Sequence, residues 1–341
     1  MRVLLTGGGT GGHILPAFNI GRELMKRGVE VFYVGSRKGL EARINIEIPY
    51  ELLPVSGWVR KSLKYRIVFF PDMLRSVFKS MIIINRFRPD AVLSTGGFVS
   101  IPVLLVSIIF GIPVFLVEIN TIPGLAVRLF SYFAYRVYVG FEKTREYLPH
   151  LNRVEVAGIP VRSDIGDGDS KEAIKFFKLN KEKKTLLIFG GSRGAAFLNR
   201  LSRHLHIIMG KEWQFIILGV ENCSELERAR CFKFLDRMEL AYSVADVVIS
   251  RGGGMTIGEL LFTGLPAIII PYPYAYLDHQ YHNAKEAEAM RMNIKVVREE
   301  EVTPELIKDL VEKLYGKKEG ILNRAPSIKI AEEMIKNVWR D

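Results

Sequence analysis

The chain is poor in cysteine, and we expect no secretion signal at its N-terminus. Its 341 residues include two cysteines, Cys223 and Cys231. Two thiols without CxxC spacing cannot form a disulfide framework, so we expect a protein of a reducing compartment. Too few residues precede the first glycines of MRVLLTGGG to form the apolar region of a signal peptide. We therefore interpret the N-terminus as a first buried strand.

Charge is absent from Ala91 to Val117, a run of 27 positions that is long enough to span a bilayer. Glycine and proline interrupt the run at Gly96, Pro102 and Gly111. These breaks divide it into strand, loop, short helix and strand, and buried parallel strands are apolar throughout. We therefore predict a soluble chain with no transmembrane helix.

Sets of metal ligands are also missing. His204 and His206 are two residues apart on a predicted helix and do not share a face. His279 and His282 lack carboxylate or thiolate neighbours in the sequence. The segment 167–169 (DGD) is similar to the DxD of metal-dependent sugar transferases, but it lies in a polar stretch before a predicted helix. We interpret it as linker and helix N-cap, and expect no metal or other cofactor.

What the chain does contain is an internal repeat. Three pairs of segments match in the same order: LLTGGGTGG (4–12) with LLIFGGSRG (186–194), DAVLSTGG (90–97) with DVVISRGG (246–253), and GIPVFLV (111–117) with GLPAIII (264–270). Strands that alternate with helices predict parallel sheets, and the length suits two domains of about 150 residues. We predict an α/β protein with domains 1–161 and 162–324. A final helix at about 325–341 could pack on either half.

Each glycine cluster follows an apolar strand and precedes a helix, where free backbone N–H groups favour anions. The first cluster is neither a well-ordered dinucleotide fingerprint nor a Walker loop. It ends in His13, which the second copy lacks. In the second half, SRGGGMT (250–256) leads into a helix that carries Glu259. A carboxylate there could hold two ribose hydroxyls, and the alternative is a capping acid of the first turn.

Positive charge is concentrated between Arg60 and Arg88, where eight Lys/Arg face only Asp72, within a net charge of +11. Four apolar residues in this segment have neither helical nor clean strand spacing: Ile67, Val68, Phe69 and Phe70. We predict that they contact an anionic membrane surface. The stripe that follows, from Met73 to Ile82, is interpreted as facing the core. Nucleic acid is the competing partner, but no recognised motif accompanies the patch, so none is predicted.

Several motifs together resemble the MurG family of bacterial N-acetylglucosaminyltransferases. They are GGGTGGH (7–13), GGSRGA (190–195), SRGGGMTIGELLFTGLPAIIIPYP (250–273) and DHQYHNA (278–284). The resemblance covers essentially the whole chain. It implies a GT-B fold, with two Rossmann-like domains facing across a cleft, and a peripheral enzyme at the cytoplasmic face of the inner membrane. It also implies metal-independent transfer of GlcNAc from UDP-GlcNAc to undecaprenyl-pyrophosphoryl-MurNAc-pentapeptide (lipid I), which forms lipid II with inversion.

The resemblance also implies which residues bind UDP-GlcNAc. They are Thr10, Gly11, Gly12, Asn120, Arg162, Ser192, Leu235, Gly253, Gly254, Met255, Thr256, Glu259 and Gln280. His13 is our candidate for the general base that takes the proton of the acceptor hydroxyl, because imidazole titrates near the working pH. The alternative is that His13 binds an acceptor phosphate or caps the loop. The chain departs from the family pattern at Val117, Arg193 and Phe98, where the family has histidine, glutamine and tyrosine.

Two other functions remain open. A related GT-B enzyme with a different acceptor would share the donor loops. A non-catalytic nucleotide-binding protein would keep the glycines but would need neither His13 nor Glu259. Cell-wall synthesis proteins are candidate partners under the main hypothesis.

Overall fold

The computed structural model describes residues 1–9, 11–37, 39, 47–55 and 63–339, and for residues 63–69 and 191–195 it describes the backbone alone. The chain divides into two compact units. Unit 1 comprises Met1–Val161 and Arg324–Asp341, and unit 2 comprises Arg162–Asn323.

Unit 1 is built on a parallel sheet of seven strands. They are β1 (Arg2–Thr6), β2 (Glu30–Ser36), β3 (Tyr50–Leu53), β4 (Ala91–Ser94), β5 (Val114–Glu118), β6 (Arg136–Val139) and β7 (Val154–Val156). Their spatial order is β3-β2-β1-β4-β5-β6-β7. In the centre, Leu4 pairs with Phe32 on one side and with Val92 on the other. The helices that cover the sheet are α1 (Gly11–Met25), α2 (Leu63–Phe87), α3 (Ser100–Ile109) and α4 (Leu125–Phe130).

Unit 2 repeats this architecture with six parallel strands. They are β8 (Lys184–Phe189), β9 (Trp213–Leu218), β10 (Ala229–Phe232), β11 (Val247–Ser250), β12 (Ala267–Ile269) and β13 (Ile294–Val296). The order is β10-β9-β8-β11-β12-β13. Six helices accompany them: α5 (Ser170–Phe177), α6 (Gly191–Ile208), α7 (Met238–Val244), α8 (Gly254–Thr263), α9 (His279–Met290) and α10 (Pro304–Leu314). Short 3₁₀ helices occupy Glu142–Tyr147 and Leu151–Arg153 in unit 1, and Tyr276–Asp278 and Glu299–Glu301 in unit 2.

The two sheets confirm the predicted pair of parallel α/β halves. Each repeated segment lies on corresponding strands: the first pair on β1 and β8, the second on β4 and β11, and the third on β5 and β12. The order reverses next to β1 in unit 1 and next to β8 in unit 2, which is the Rossmann arrangement. The edge strands β3 and β10 were not predicted, because four residues at a sheet edge show little periodicity.

The last helix, α11 (Pro326–Val338), packs against α1 in unit 1. Its buried face consists of Ser327, Ile330, Ala331 and Met334. Arg27, in the turn after α1, forms an ion pair with Glu332, with Nη2 2.9 Å from Oε1. The chain therefore returns to its first unit after completing the second.

Helix α2 buries only part of the stripe that we predicted to face the core, since Met73 and Val77 pack against the core of unit 1. Its backbone includes residues 67–70, so the segment predicted to lack helical spacing is helical. Ser76 and Ser80 are buried, and their hydroxyls donate to backbone carbonyls one turn earlier at 2.6 and 2.7 Å. Leu74 and Phe78 are 71% and 65% exposed. Serine can be buried on this face because each hydroxyl bonds to its own helix, and much of the predicted core stripe therefore faces outward.

Two further findings concern the cysteines and the membrane-spanning potential of the helices. Cys223 and Cys231, which we did not expect to pair, form a disulfide, because the β9–β10 connection brings their α-carbons within 6.1 Å. None of the helices formed by the described residues has the length and apolar character needed to span a bilayer.

Candidate active site

The loops after β1 and β4 meet at the switch point of unit 1, where Rossmann-like sheets bind ligands. Gly97, after β4, has a φ of +87°. A β-carbon at this position would lie 2.6 Å from the carbonyl oxygen of Gly8. Only glycine satisfies both conditions, so the close approach of the two loops depends on Gly97.

His13 lies in the first turn of α1, next to these loops, and is half-buried. Its Nδ1 is 2.7 Å from the carbonyl oxygen of Thr95. Because a carbonyl oxygen can only accept, Nδ1 carries the proton and the lone pair of the neutral ring is on Nε2. The Thr95 hydroxyl donates in turn to the backbone carbonyl of His13 at 2.5 Å. The imidazole is thus held in the tautomer of a general base.

Glu118, at the end of β5, is 2% exposed and organises the adjacent loop. Its Oε1 accepts from the backbone N and the Nδ2 of Asn120 at 2.9 and 3.0 Å, and its Oε2 accepts from the backbone N of Gly124 at 2.8 Å. Burial raises the pKa of Glu118, while these hydrogen bonds and the charge of His13 act in the opposite direction. Glu118 therefore fixes the predicted donor contact Asn120 and interacts electrostatically with His13.

Glu118 was not predicted as a site residue. The signal was present, because Glu118 is the first charge after the uncharged run and ends an apolar strand. A buried acid at the carboxyl end of a parallel strand points to a ligand site or to a structural role, and sequence alone does not separate the two.

In unit 2, a short glycine loop joins β11 to helix α8. Gly253 precedes the helix with φ −67° and ψ 139°. Gly254, Met255 and Thr256 form the first turn, where N–H groups have no partner within the helix. These N–H groups and the helix dipole favour a phosphate at this end of α8.

The start of α9 is packed against the same loop. A β-carbon on Gly252 would overlap the backbone carbonyl of Gln280. The Gln280 side chain accepts from the backbone N of Tyr272 through Oε1 at 3.0 Å. The structure therefore brings the predicted donor contact Gln280 to the glycine loop of α8.

Arg251, between β11 and this loop, is 5% exposed and was not predicted as a site residue. Its Nη1 donates to the carbonyls of Ile270 and Pro271, both at 3.1 Å, and its Nη2 pairs with Glu299 Oε2 at 2.6 Å. Such a buried ion pair needs additional hydrogen bonds to offset desolvation, and both carbonyls supply them. Arg251 thus joins the base of the glycine loop to the end of β12.

Glu259 lies in the second turn of α8 and is partly buried. Its Oε2 accepts from the hydroxyl of Tyr242 in α7 at 2.7 Å. Burial raises the pKa of Glu259 to about 7, although the Tyr242 hydrogen bond and the charge of Arg162 lower it. Because its side chain is hydrogen-bonded to Tyr242, Glu259 is more than a capping acid of α8.

The other predicted donor contacts in unit 2 are dispersed along its chain. Arg162 donates from Nη2 to Glu239 Oε2 at 2.6 Å, and its Nε is 3.1 Å from Asp164 Oδ1. The Leu235 side chain is buried, which suits a contact made through its backbone. Ser192 lies at the start of α6, where the structure describes the backbone alone. Thr10, a predicted donor contact of unit 1, is outside the described residues.

Metal ligands do not cluster in the part of the chain that the structure describes: no group of three His, Cys, Asp or Glu side chains could hold an ion there. The Asp169 side chain accepts from the backbone N of Lys171 at 2.8 Å and caps α5. This confirms our interpretation of the DGD segment as a helix cap.

Comparison with known proteins identifies the family. The glycosyltransferase family 28 N-terminal domain matches residues 3–139, and the C-terminal domain of that family matches residues 185–338. A UDP-N-acetylglucosamine–N-acetylmuramyl-(pentapeptide) pyrophosphoryl-undecaprenol N-acetylglucosamine transferase from Desulforamulus reducens is 36% identical over 96% of this chain and 93% of its own. The transferase of that name from Thermodesulfovibrio yellowstonii is 35% identical, with coverage of 94% and 91%. The chain belongs to the MurG family.

Solved structures have a similar fold. The crystal structure of Acinetobacter baumannii MurG has a TM-score of 0.73 at 24% identity and covers 98% of this chain and 99% of its own. The UDP-GlcNAc 2-epimerase from Neisseria meningitidis, solved with UDP-GlcNAc, has a TM-score of 0.69 at 17% identity and full coverage of both chains. The predicted GT-B fold and the resemblance to the MurG family are both confirmed.

Proposed function

We propose that this protein transfers GlcNAc from UDP-GlcNAc to the 4-hydroxyl of MurNAc in lipid I and so forms lipid II. The observation that carries the proposal is the membership of the MurG family over nearly the whole chain. The hydrogen bond from His13 to Thr95 supports it, since a binding protein has no need of a histidine held with Nε2 basic.

In this proposal unit 2 holds the donor. The diphosphate binds at the N-terminus of α8 through Gly253, Gly254, Met255 and Thr256. Glu259 accepts the ribose hydroxyls, and the uracil lies against the backbone of Leu235. Oriented N–H groups stabilise the negative charge that develops on the leaving UDP, in the manner of an oxyanion hole. The remaining donor contacts, among them Asn120, Arg162, Ser192 and Gln280, stay predictions.

His13 in unit 1 is the proposed base. The acceptor oxygen attacks C1 of GlcNAc while the bond from C1 to the UDP oxygen breaks, and its electron pair leaves with UDP. The proton of the acceptor hydroxyl moves to Nε2 of His13. Attack from the face opposite UDP inverts the anomeric centre and gives a β-1,4 link.

We further propose that unit 1 contacts the anionic cytoplasmic face of the inner membrane through the exposed side of α2. Apolar side chains recur there at every fourth residue: Phe70, Leu74, Phe78 and Ile82 are 61%, 71%, 65% and 49% exposed. Residues four apart share one helix face, so these form a continuous apolar strip. Arg75, on the same helix, has a side chain that is 76% exposed. An apolar strip beside cations suits a membrane surface.

Phe70 is the one residue of the predicted contact whose side chain the structure describes; the side chains of Ile67, Val68 and Phe69 lie outside the description. The membrane contact supported by the structure is therefore longer than the predicted one and extends to Ile82.

Transfer activity tests the proposal directly. Purified protein is incubated with radiolabelled UDP-GlcNAc and a soluble lipid I analogue, without added divalent metal. We expect a β-1,4-linked disaccharide product. Absence of product, or strict dependence on a divalent ion, would contradict the proposal. Product from another polyprenyl-linked sugar but not from lipid I would favour the alternative GT-B enzyme.

A further inference from the structure

We propose that Tyr242 is a positioning residue of the donor site: its buried hydroxyl holds the Glu259 carboxylate in the orientation that receives the ribose diol of the donor nucleotide. The inference rests on the proposed function, because it assumes that Glu259 meets a ribose.

The geometry of Tyr242 is that of a fixed donor. The residue is 2% exposed, and its ring packs edge-on against Phe189 with centroids 6.3 Å apart. A buried hydroxyl needs a hydrogen-bond partner, and this one donates to Glu259 Oε2 at 2.7 Å. Burial and the neighbouring carboxylate raise the pKa of Tyr242 well above its usual value, so the hydroxyl keeps its proton throughout the working range. Whenever Glu259 is ionised, the bond therefore runs from Tyr242 to Glu259.

The hydrogen bond from Tyr242 uses only part of the hydrogen-bond acceptor capacity of the Glu259 carboxylate. Two carboxylate oxygens offer about four lone-pair positions, so room remains for two ribose hydroxyls. A free glutamate side chain loses rotamer freedom when it binds a diol, and a side chain already held by Tyr242 loses less. The bond thus prepares Glu259 for the ligand.

Helix α7 also reaches a second predicted donor contact. Glu239, one turn before Tyr242, accepts from Arg162 Nη2 at 2.6 Å. The same short helix therefore holds the Glu259 and Arg162 side chains, and Leu235 lies just before its start. No position in α7 was matched to a donor contact, so its contribution is to hold the residues that were.

The charge of Glu259 is sensitive to this arrangement. Tyr242 from α7 and Arg162 from the segment before α5 both favour the ionised form, against burial. Helix α9, which also packs on α8, buries Asn283, Ala284 and Ala287, none of them titratable. Removal of the Tyr242 hydroxyl should therefore favour the protonated acid, which accepts hydroxyl protons less well.

The experiment compares Tyr242→Phe with wild-type protein and with the matched control Tyr138→Phe, a buried tyrosine of unit 1. Binding of UDP-GlcNAc and of its 2′-deoxyribose analogue is measured by calorimetry from pH 6 to pH 9. UDP-GlcNAc is used because its diphosphate does not titrate in this range. We expect Tyr242→Phe to weaken UDP-GlcNAc binding about tenfold at pH 7, the effect of one hydrogen bond to a charged group. We also expect a higher pH midpoint and less discrimination between ribose and 2′-deoxyribose.

The inference would be overturned if Tyr242→Phe left unchanged both the pH midpoint of UDP-GlcNAc binding and the discrimination between ribose and 2′-deoxyribose. In that case, binding of UDP-GlcNAc by the wild-type protein would still support the proposed function. Equal weakening of both nucleotides at every pH would mean a general structural role and would also overturn it. Failure of the wild-type protein to bind UDP-GlcNAc would instead refute the donor assignment itself.

A second variant covers the case in which Tyr242→Phe does not fold. Site-specific 3-fluorotyrosine at position 242 retains the ring and a more acidic hydroxyl, which donates a stronger hydrogen bond. The pH midpoint of UDP-GlcNAc binding should then move below that of the wild-type protein. A midpoint that stays in place or rises would contradict the role of Tyr242.

Discussion

The glycine loops after β1 and β11 both lie at the switch point of a Rossmann-like sheet, but they follow non-corresponding strands, since β1 matches β8 and β11 matches β4, and they present different chemistry. The loop of unit 1 leads into a helix whose first turn carries His13, tied to Thr95 of the neighbouring loop. The loop of unit 2 leads into a helix whose second turn carries Glu259, tied to Tyr242 of the preceding helix. In both cases the backbone provides N–H groups, and a residue from another element fixes the functional side chain. The two similar sheets therefore each supply a glycine loop and a helix start, which we call the unit 1 frame and the unit 2 frame, and single side chains give each frame its role.

The largest expected effect is on the unit 1 frame. We expect His13→Ala to lower kcat by about 10²–10⁴-fold, the usual contribution of a general base. Because UDP is assigned to unit 2, the affinity for UDP-GlcNAc should stay nearly the same. Steady-state kinetics and calorimetry measure the two quantities. His204→Ala, which replaces an exposed histidine in α6, is the matched control. Equal losses of turnover and donor affinity would instead assign His13 to binding.

The opposite pattern is expected for the unit 2 frame. Glu259→Gln should weaken UDP-GlcNAc binding about tenfold to a hundredfold through loss of charged hydrogen bonds to ribose, with a smaller effect on kcat. Because the pKa of Glu259 is about 7 and the ionised form accepts the hydroxyls, wild-type affinity should fall as the pH drops below 7. Glu259→Gln should show no such fall. Glu305→Gln, at an exposed acid in the first turn of α10, is the control.

The same variant should stabilise the folded protein at high pH. A pKa raised on folding means that stability is present at low pH and is lost as the pH rises through 7. At pH 8 Glu259→Gln should therefore increase the free energy of unfolding by about 1–2 kcal/mol, less than the full shift because the side chain is partly exposed. Near pH 4.5 the difference should vanish. Urea unfolding at both pH values measures it. Destabilisation at pH 8 would show that the carboxylate serves the fold.

A third experiment asks whether membrane contact belongs to unit 1 alone. Phe78→Glu should weaken binding to vesicles that contain anionic lipid by about tenfold or more, the effect of losing one buried aromatic side chain. Turnover with a soluble acceptor should be unchanged. The control is Ile207→Glu, which changes a 75% exposed residue of unit 2. If both variants lose binding equally, the exposed strip of α2 is not the contact.

The smallest effect concerns a residue outside both frames. Asp169→Ala removes the cap of α5 and should lower the free energy of unfolding by about 1 kcal/mol. Transfer activity should not change, and no divalent ion should alter it. Thr303→Ala, which removes the corresponding cap of α10, is the control for stability. A large loss of activity in Asp169→Ala alone would reopen the metal-binding interpretation of the DGD segment.

Much of this protein could be read from its sequence. The parallel sheets, the switch-point loops, His13 and Glu259 were all predicted, because apolar strands, glycines and the residues after them are neighbours along the chain. The partners Thr95 and Tyr242 were not predicted, since they lie 82 and 17 residues away from the side chains that they hold. Sequence spacing contains no information on such contacts between elements.

Helix α2 shows where the tertiary structure decides. Its apolar residues have helical spacing, and the sequence determined the helix but not the face that would be buried. Two serines satisfied by their own backbone pack inward, and the strip from Phe70 to Ile82 is left exposed. Likewise, the sequence placed a carboxylate at Glu259, and burial in the folded protein raises its pKa to about 7 against the opposing effect of the Tyr242 hydrogen bond. Local pattern fixes which element forms, while burial and the groups of other elements fix the surface it presents and the charge it carries.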